Sequence, residues 1–87
     1  MYSYKNGGMM TYTKQYVEEL EVLMLFNLST SQEGIKIHKQ ADSDKIAAAE
    51  RLFKKGFVTQ IDGGYLTSLG REAAEHTQFL YTMLKVS

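Results

Sequence analysis

The sequence contains no cysteine, which excludes disulfides, thiolate zinc sites and cysteine nucleophiles. It has no apolar run of the roughly 18 residues or more that a membrane-spanning helix needs. The charged, apolar and small-residue regions of a secretory signal peptide do not follow one another at its start. We therefore expect a protein of the reducing cytoplasm, with no membrane partner.

The chain also has no net charge at neutral pH, because its ten basic side chains balance its ten acidic side chains. The charges are unevenly spread. Residues 36–55 hold six Lys or Arg against three Asp or Glu, whereas residues 1–35 hold two Lys against four Glu. A locally basic middle third is compatible with a nucleic-acid-binding surface, although most DNA-binding domains carry a stronger excess of positive charge.

The length of 87 residues and a hydrophobic fraction of 44% predict one small globular domain. Residues 1–11 are rich in Gly, Tyr and Met without a clear period, and they are predicted to form a flexible tail. The domain itself is expected over residues 12–87. Burial in so short a chain is marginal, so a dimer would be a natural source of stability.

The first helix is predicted over residues 13–28, with Thr13 as its cap. One stripe at helical spacing is formed by Val17, Leu20, Met24 and Leu28. Three further apolar residues, Val22, Leu25 and Phe26, lie off that stripe. A helix that is apolar nearly all round is usually buried on several sides, by its own domain or by a second copy.

Residues 29–40 allow two interpretations. Thr30 and Glu33 fit a capping box and indicate a short second helix. Ile35 and Ile37 alternate with polar residues, as in a short strand. The helix is the favoured prediction, and the strand stays open.

A clearer helix is predicted over residues 44–55, capped by Asp42 or Ser43 and stopped by Gly56. Its inward stripe is predicted to be Ile46, Ala49, Leu52 and Phe53. Its outward side is predicted to be Asp44, Ala47, Ala48, Arg51, Lys54 and Lys55. Such a smooth, positive surface suits close approach to a DNA groove, and it equally suits a solvated helix face.

A hairpin and a last helix complete the chain. Residues 57–61 and 65–67 read as strands around the tight turn Asp62-Gly63-Gly64, whose glycines tolerate positive φ. Thr67 or Ser68 is expected to cap a helix to about residue 84. The stripe of that helix is predicted to be Leu69, Ala73, His76, Leu80, Met83 and Leu84, with Phe79 at its edge.

The segment from Ala49 to Ala74, AERLFKKGFVTQIDGGYLTSLGREAA, resembles the winged helix-turn-helix of bacterial transcription regulators. The resemblance implies a mainly α fold with a small β-hairpin, in which a three-helix core is followed by a two-stranded wing and a C-terminal helix. It also implies that Leu66 packs into the core, that Thr67 caps the last helix and that Gly70 permits close packing.

More narrowly, the chain from about Met10 onward resembles a small family of short, uncharacterised proteobacterial proteins that tend to be labelled as DNA-binding. The matching segments are LFNLSTSQEGIKIHKQAD and GGYLTSLGREAAEH. Two features depart from a DNA-binding winged helix. The wing tip carries Asp62 and no cation, and the turn before the recognition helix contains Asp42 and Asp44.

No enzymatic apparatus is recognisable, so we expect a non-enzyme without cofactor, metal or small-molecule substrate. Catalysis needs convergent titratable groups, a nucleophile with a base, or an open metal site. Glu72 and His76 are four residues apart and offer two ligands without a companion motif. His76 is expected to be a core or interface histidine.

The resemblance favours double-stranded DNA as the partner, as for a transcription regulator that inserts helix 44–55 into the major groove. Arg51 can present two donors to a guanine edge. The other expected phosphate or base contacts are Lys36, Lys39, Gln40, Lys54 and Lys55.

The alternative function is a winged-helix protein-interaction or dimerisation module without DNA binding. A homodimer interface is predicted from Val22, Leu25, Phe26, Phe79, Tyr81 and Met83. A continuous positive face over the cations of residues 39–55 would favour DNA, whereas an exposed apolar patch would favour a protein partner.

Overall fold

The computed structural model describes residues 10–86, which form three helices and a three-stranded antiparallel sheet. The helices are α1 (Lys14–Leu23), α2 (Ser43–Lys54) and α3 (Ser68–Lys85), and the strands are β1 (Ile35–Lys36), β2 (Val58–Gln60) and β3 (Gly63–Leu66). The prediction for residues 1–9, most of the expected tail, lies outside the described residues. Within the described range, no helix has the length and hydropathy needed to cross a membrane.

The predicted helix starts are confirmed by the side chains that cap them. The hydroxyl of Thr13 accepts from the Tyr16 amide at 3.3 Å, and a carboxylate oxygen of Asp42 accepts from the Asp44 amide at 3.3 Å. At α3 the hydroxyl of Thr67 accepts from the Gly70 amide at 2.9 Å and donates to the Gly56 carbonyl at 2.6 Å. Each cap satisfies an amide that would otherwise lack a partner at the first turn.

The predicted hairpin is confirmed, but its second strand begins two residues earlier than expected. Gly63 and Gly64 have φ values of 123° and 77°, and both lie within β3. They pair with Lys36 and Ile35 of β1. A Cβ atom at Gly63 would stand 2.8 Å from the Ile35 carbonyl oxygen, so the glycines allow β1 to approach as a third strand.

The favoured short helix within residues 29–40 is wrong, and the strand interpretation is correct. The Thr30 hydroxyl accepts from the Gln32 amide within a local turn, and Glu33 accepts from the Asn27 side chain at 3.2 Å. Neither side chain therefore forms the capping box. The first helix is also shorter than predicted, because α1 ends at Leu23.

The core lies where α1, α2 and the sheet meet. Its buried members are Val22, Leu23, Phe26, Ala48, Leu52, Val58 and Ala74, with Leu66 partly buried against them. Of the three residues predicted to lie off the main stripe of the first helix, Val22 and Phe26 are buried and Leu25 is 47% exposed. Among the apolar residues of α2 the predicted orientation is wrong at two positions, because Ala48 is fully buried and Phe53 is 40% exposed. The mainly helical class with a β-hairpin is confirmed, with three helices in residues 10–86.

Candidate interaction surfaces

A cluster of charged side chains joins α1 to α2. Glu19 lies on the inner face of α1 and is 6% exposed. One of its carboxylate oxygens accepts from Arg51 Nε at 2.6 Å, and the other accepts from Lys55 Nζ. Arg51 also donates to the Gln15 carbonyl at 3.2 Å and lies 3.6 Å from a carboxylate oxygen of Glu18. One buried acid therefore holds two cations of α2.

The electrostatics of this cluster favour ionised Glu19. Burial is the largest single influence and raises the pKa of the Glu19 carboxyl. Hydrogen bonds from Lys55 and Arg51, together with their positive charges, act in the opposite direction and outweigh burial. The pKa of Glu19 consequently lies below its ordinary value, and the carboxylate is charged at neutral pH.

We expect Glu19→Gln to lower the free energy of unfolding by about 1–2 kcal/mol at neutral pH, because two charge-assisted hydrogen bonds weaken. The folded-state pKa of Glu19 is depressed, so its contribution is present above the ordinary value of 4.5 and is lost as pH falls through the folded pKa. Urea unfolding of both proteins at pH 7 and near pH 3 checks this. A difference between them that does not shrink in acid would contradict the assignment.

Two of the predicted DNA contacts are directed into this cluster. Arg51 and Lys55 are expected from the helical wheel to point outward, but both lie against α1. The predicted orientation is wrong for Arg51, whose side chain is 26% exposed, because the wheel does not show a buried acid on a neighbouring helix. Lys55 is exposed as predicted, but its Nζ binds Glu19. Lys54 remains exposed at the end of α2.

Three other predicted contacts come together at an open cleft beside α2. The cleft has a volume of about 570 Å³ and lies between the segment after β1, one side of α2 and the hairpin tip. Lys36, Lys39 and Gln40 line it, with Glu50 and Asp62 also in the lining. Among residues 10–86, Lys36, Lys39 and Lys54 form no ion pair with a carboxylate. These three predicted cationic contacts therefore lie at this cleft or at the end of α2.

Helix α3 contacts the rest of the domain through small and polar side chains. Its only buried residues are Gly70 and Ala74. Gln78 donates to the carbonyls of Leu23 and Phe26 at 3.1 and 2.9 Å, which satisfies acceptors at and beyond the end of α1. Arg71 donates to the carbonyls of Leu28 and Thr30 at 3.0 and 3.1 Å. The large apolar residues of α3 have no part in these contacts.

Those apolar residues form a surface together with the outer side of α1, and we call it the apolar face. Its members are Val17, Leu20, Met24, Phe79, Leu80, Tyr81, Met83 and Leu84. Six of the eight are between 42% and 74% exposed. Between the two helices the face is concave, and a groove of about 180 Å³ is lined by Val17, Leu20, Met24, Leu80, Tyr81 and Leu84, with Glu21 and Thr77.

The stripes predicted to face inward on α1 and α3 thus contribute to a surface. Leu80, Met83 and Leu84 are exposed, and His76 is exposed on the same helix. The core alternative for His76 is therefore wrong, and the interface alternative stays a prediction. A solvent-facing stripe of large apolar side chains is unusual for a monomeric domain.

The residues predicted for a dimer interface divide into two groups. Val22 and Phe26 are buried in the core, so they are unavailable to a partner and that part of the prediction is wrong. The remaining four, Leu25, Phe79, Tyr81 and Met83, are at least 47% exposed. Sequence reasoning omitted Leu80 and Leu84 because it assigned them to the core. It also omitted Glu19, whose signal was an acid on the same helix face as Val22, Leu23 and Phe26.

Comparison with known proteins gives one match. Residues 10–85 match a family of unknown function (DUF5669). The search of curated proteins and the search of solved structures each found no match. The family match agrees with the resemblance to an uncharacterised family from Met10 onward, while the family description assigns no DNA binding. Because this match covers residues 10–85 of the 87-residue chain, the chain belongs to the DUF5669 family of unknown function.

Proposed function

We propose that the chain is a protein-interaction module of the winged-helix type, which binds a protein partner through the apolar face. The observation that carries the proposal is the exposure of that face, with six large apolar side chains 42–74% exposed on two adjacent helices. Exposed apolar side chains in this number, several of which line a groove, are a feature of protein-binding sites. The order of helix, strand, helix and hairpin, with a third strand beside the hairpin, is compatible with a winged helix.

Charge distribution also supports a protein partner over DNA. Arg51 and Lys55, two of the cations on the helix expected to read DNA, are held by Glu19. The whole chain has no net charge. The continuous positive surface that would favour DNA is therefore interrupted on α2.

Photo-cross-linking in the cells that produce the protein tests this proposal. A benzophenone amino acid is placed at Phe79 or Tyr81 of the apolar face, or at Tyr65 as the control. Tyr65 is an aromatic residue on β3, outside the face, with 47% exposure against 50% for Tyr81. We expect discrete protein adducts from positions 79 and 81 and none from position 65. An absence of adducts at both face positions would contradict the proposal.

DNA binding is a second candidate, favoured by the grouping of Lys36, Lys39 and Gln40 in the cleft beside α2. If Lys39 contacts a phosphate, Lys39→Ala is expected to weaken duplex binding and to lower the slope of log affinity against log salt by about 1. Lys14→Ala removes the same charge from the start of α1, outside the cleft, and should leave that slope unchanged. No binding by the intact protein in low salt, or equal slopes for both variants, would exclude this site.

A further inference from the structure

We infer that the occupant of the apolar face is a second copy of this chain, packed by a twofold axis so that the α3 helices run antiparallel. This inference rests on the proposed function and names its partner. A twofold interface places the same patch of both copies in contact, so the patch must be complementary to itself. The apolar face has this property, because one chain carries both a groove and a ridge.

The groove and the ridge share the C-terminal half of α3. The groove runs between α1 and α3, with Leu80, Tyr81 and Leu84 as its α3 wall. Phe79 and Met83 are 68% and 57% exposed and lie outside that wall. They are four residues apart and so stand on one side of the helix as a ridge. In the twofold arrangement the ridge of each copy packs on the groove of the other, and α1 and α3 of both copies form a four-helix arrangement.

The extent of the face fits a dimer. A buried aromatic side chain covers roughly 150–250 Å², and an aliphatic one less. Six large side chains that are 42–74% exposed therefore present on the order of 500 Å² of apolar surface. Standard interfaces bury about 800 Å² per partner, of which a polar rim is part. The apolar face therefore supplies the core of an interface of that size.

The charges at the edge of the face are also self-complementary. Glu21 lines the groove on α1, and Lys85 follows Leu84 at the end of α3 with its Nζ 5.2 Å from the centroid of the Tyr81 ring. Within residues 10–86 neither side chain forms an ion pair. Leu84 and Thr77 mark opposite ends of the α3 wall. Gln78 donates to the Leu23 carbonyl, so the Thr77 end of the α3 wall lies beside the C-terminal half of α1, which carries Glu21. An antiparallel α3 pair brings Lys85 of one copy towards that end of the other groove, so each dimer gains two such pairs.

Sedimentation velocity over a range of protein concentrations tests the inference. We expect the intact chain to dimerise, and Leu84→Asp to weaken the dimer by about 30-fold or more, since it places a charge in the apolar interface. Ile61→Asp is the matched control, because Ile61 is 52% exposed on the hairpin and should leave dimerisation unchanged. Circular dichroism shows that each variant is folded, and Phe79→Gln replaces Leu84→Asp if the latter is not.

A charge exchange tests the antiparallel arrangement. Glu21→Lys and Lys85→Glu should each weaken the dimer, and the double variant should regain most of the lost affinity, because it restores both pairs with reversed sign. A double variant as weak as the singles would overturn the proposed arrangement.

Failure of this inference is distinguishable from failure of the proposed function. An intact chain that stays monomeric at all concentrations, or a dimer that Leu84→Asp and Phe79→Gln leave intact, overturns the second copy as partner. Adducts from positions 79 and 81 to a different protein would then leave the proposed function standing. If these adducts are missing as well, both proposals fall.

Discussion

Replacing Gly70 with alanine is expected to lower the free energy of unfolding by about 3 kcal/mol, because a close backbone contact leaves no space for a methyl group. A Cβ atom at this position would lie 1.8 Å from the carbonyl oxygen of Phe57. That oxygen cannot move freely, since it accepts from the Thr67 amide at 3.1 Å, and the Phe57 amide donates to Leu52 at 2.9 Å. The start of α3 must therefore shift from the sheet. Urea unfolding followed by circular dichroism measures the loss.

Gly56→Ala is the control that separates lack of space from backbone conformation. No atom lies within 4 Å of a Cβ built at Gly56, but its φ of +83° is in the left-handed region. An alanine there carries only the strain of that conformation, about 1–2 kcal/mol. Gly70→Ala should accordingly be the more destabilising of the two. If it were the milder substitution, the close approach of α3 to Phe57 would be contradicted.

The parts of the fold that the sequence predicted correctly are those with local causes. Thr13, Asp42 and Thr67 cap the helices as expected, since a short polar side chain reaches the amide two or three residues on. Gly56 ends α2 with positive φ. These features depend on the residue and its immediate neighbours, so a single sequence contains the information needed.

The orientation of the helices was less accessible, because it depends on contacts between distant residues. Helices α1 and α3 carry apolar residues on more than one side, and periodicity does not show which side meets the core. On α3 the side that carries Gln78 and Arg71 faces the rest of the domain. These two side chains donate to carbonyls of residues 23–30, which are more than 40 positions away in the sequence. Glu19 does the same for Arg51 and Lys55 across 32 and 36 positions.

The incorrect prediction of a second helix within residues 29–40 has a similar cause, because contacts with residues outside this segment determine its structure. Thr30 and Glu33 have the right spacing for a capping box. In the folded chain Glu33 binds Asn27, and Ile35 pairs with Gly64 of β3. A strand of two residues gains its stability from that pairing, and the alternation of Ile35 and Ile37 with polar residues is too short a signal to identify it alone. Much of the candidate cleft follows this segment, so its geometry could not be predicted either.

Leu52 is buried in the core and Leu80 is exposed on the apolar face, so truncation of the two side chains should affect stability very differently. Leu52→Ala should lower the free energy of unfolding by about 3 kcal/mol, because Leu52 is 1% exposed in the core and its truncation leaves a cavity. Leu80→Ala removes the same atoms from a side chain that is 44% exposed, so in dilute solution its effect should stay below about 1 kcal/mol. From the predicted inward stripes of α2 and α3 alone, both substitutions would be expected to damage the core equally. Urea unfolding of the two variants and the parent chain compares them.

Measuring the loss of unfolding free energy at several protein concentrations distinguishes a residue of the dimer interface from a residue of the core. Association stabilises the folded chain by mass action, so a residue that contacts a second copy contributes more at high concentration. The loss from Leu80→Ala should therefore grow when unfolding is repeated at 100-fold higher concentration. The direct cavity loss at Leu52 should remain nearly constant, because that side chain packs within one copy. A loss at Leu80 as large as that at Leu52 in dilute solution would instead place Leu80 in the core and remove the basis of the apolar face.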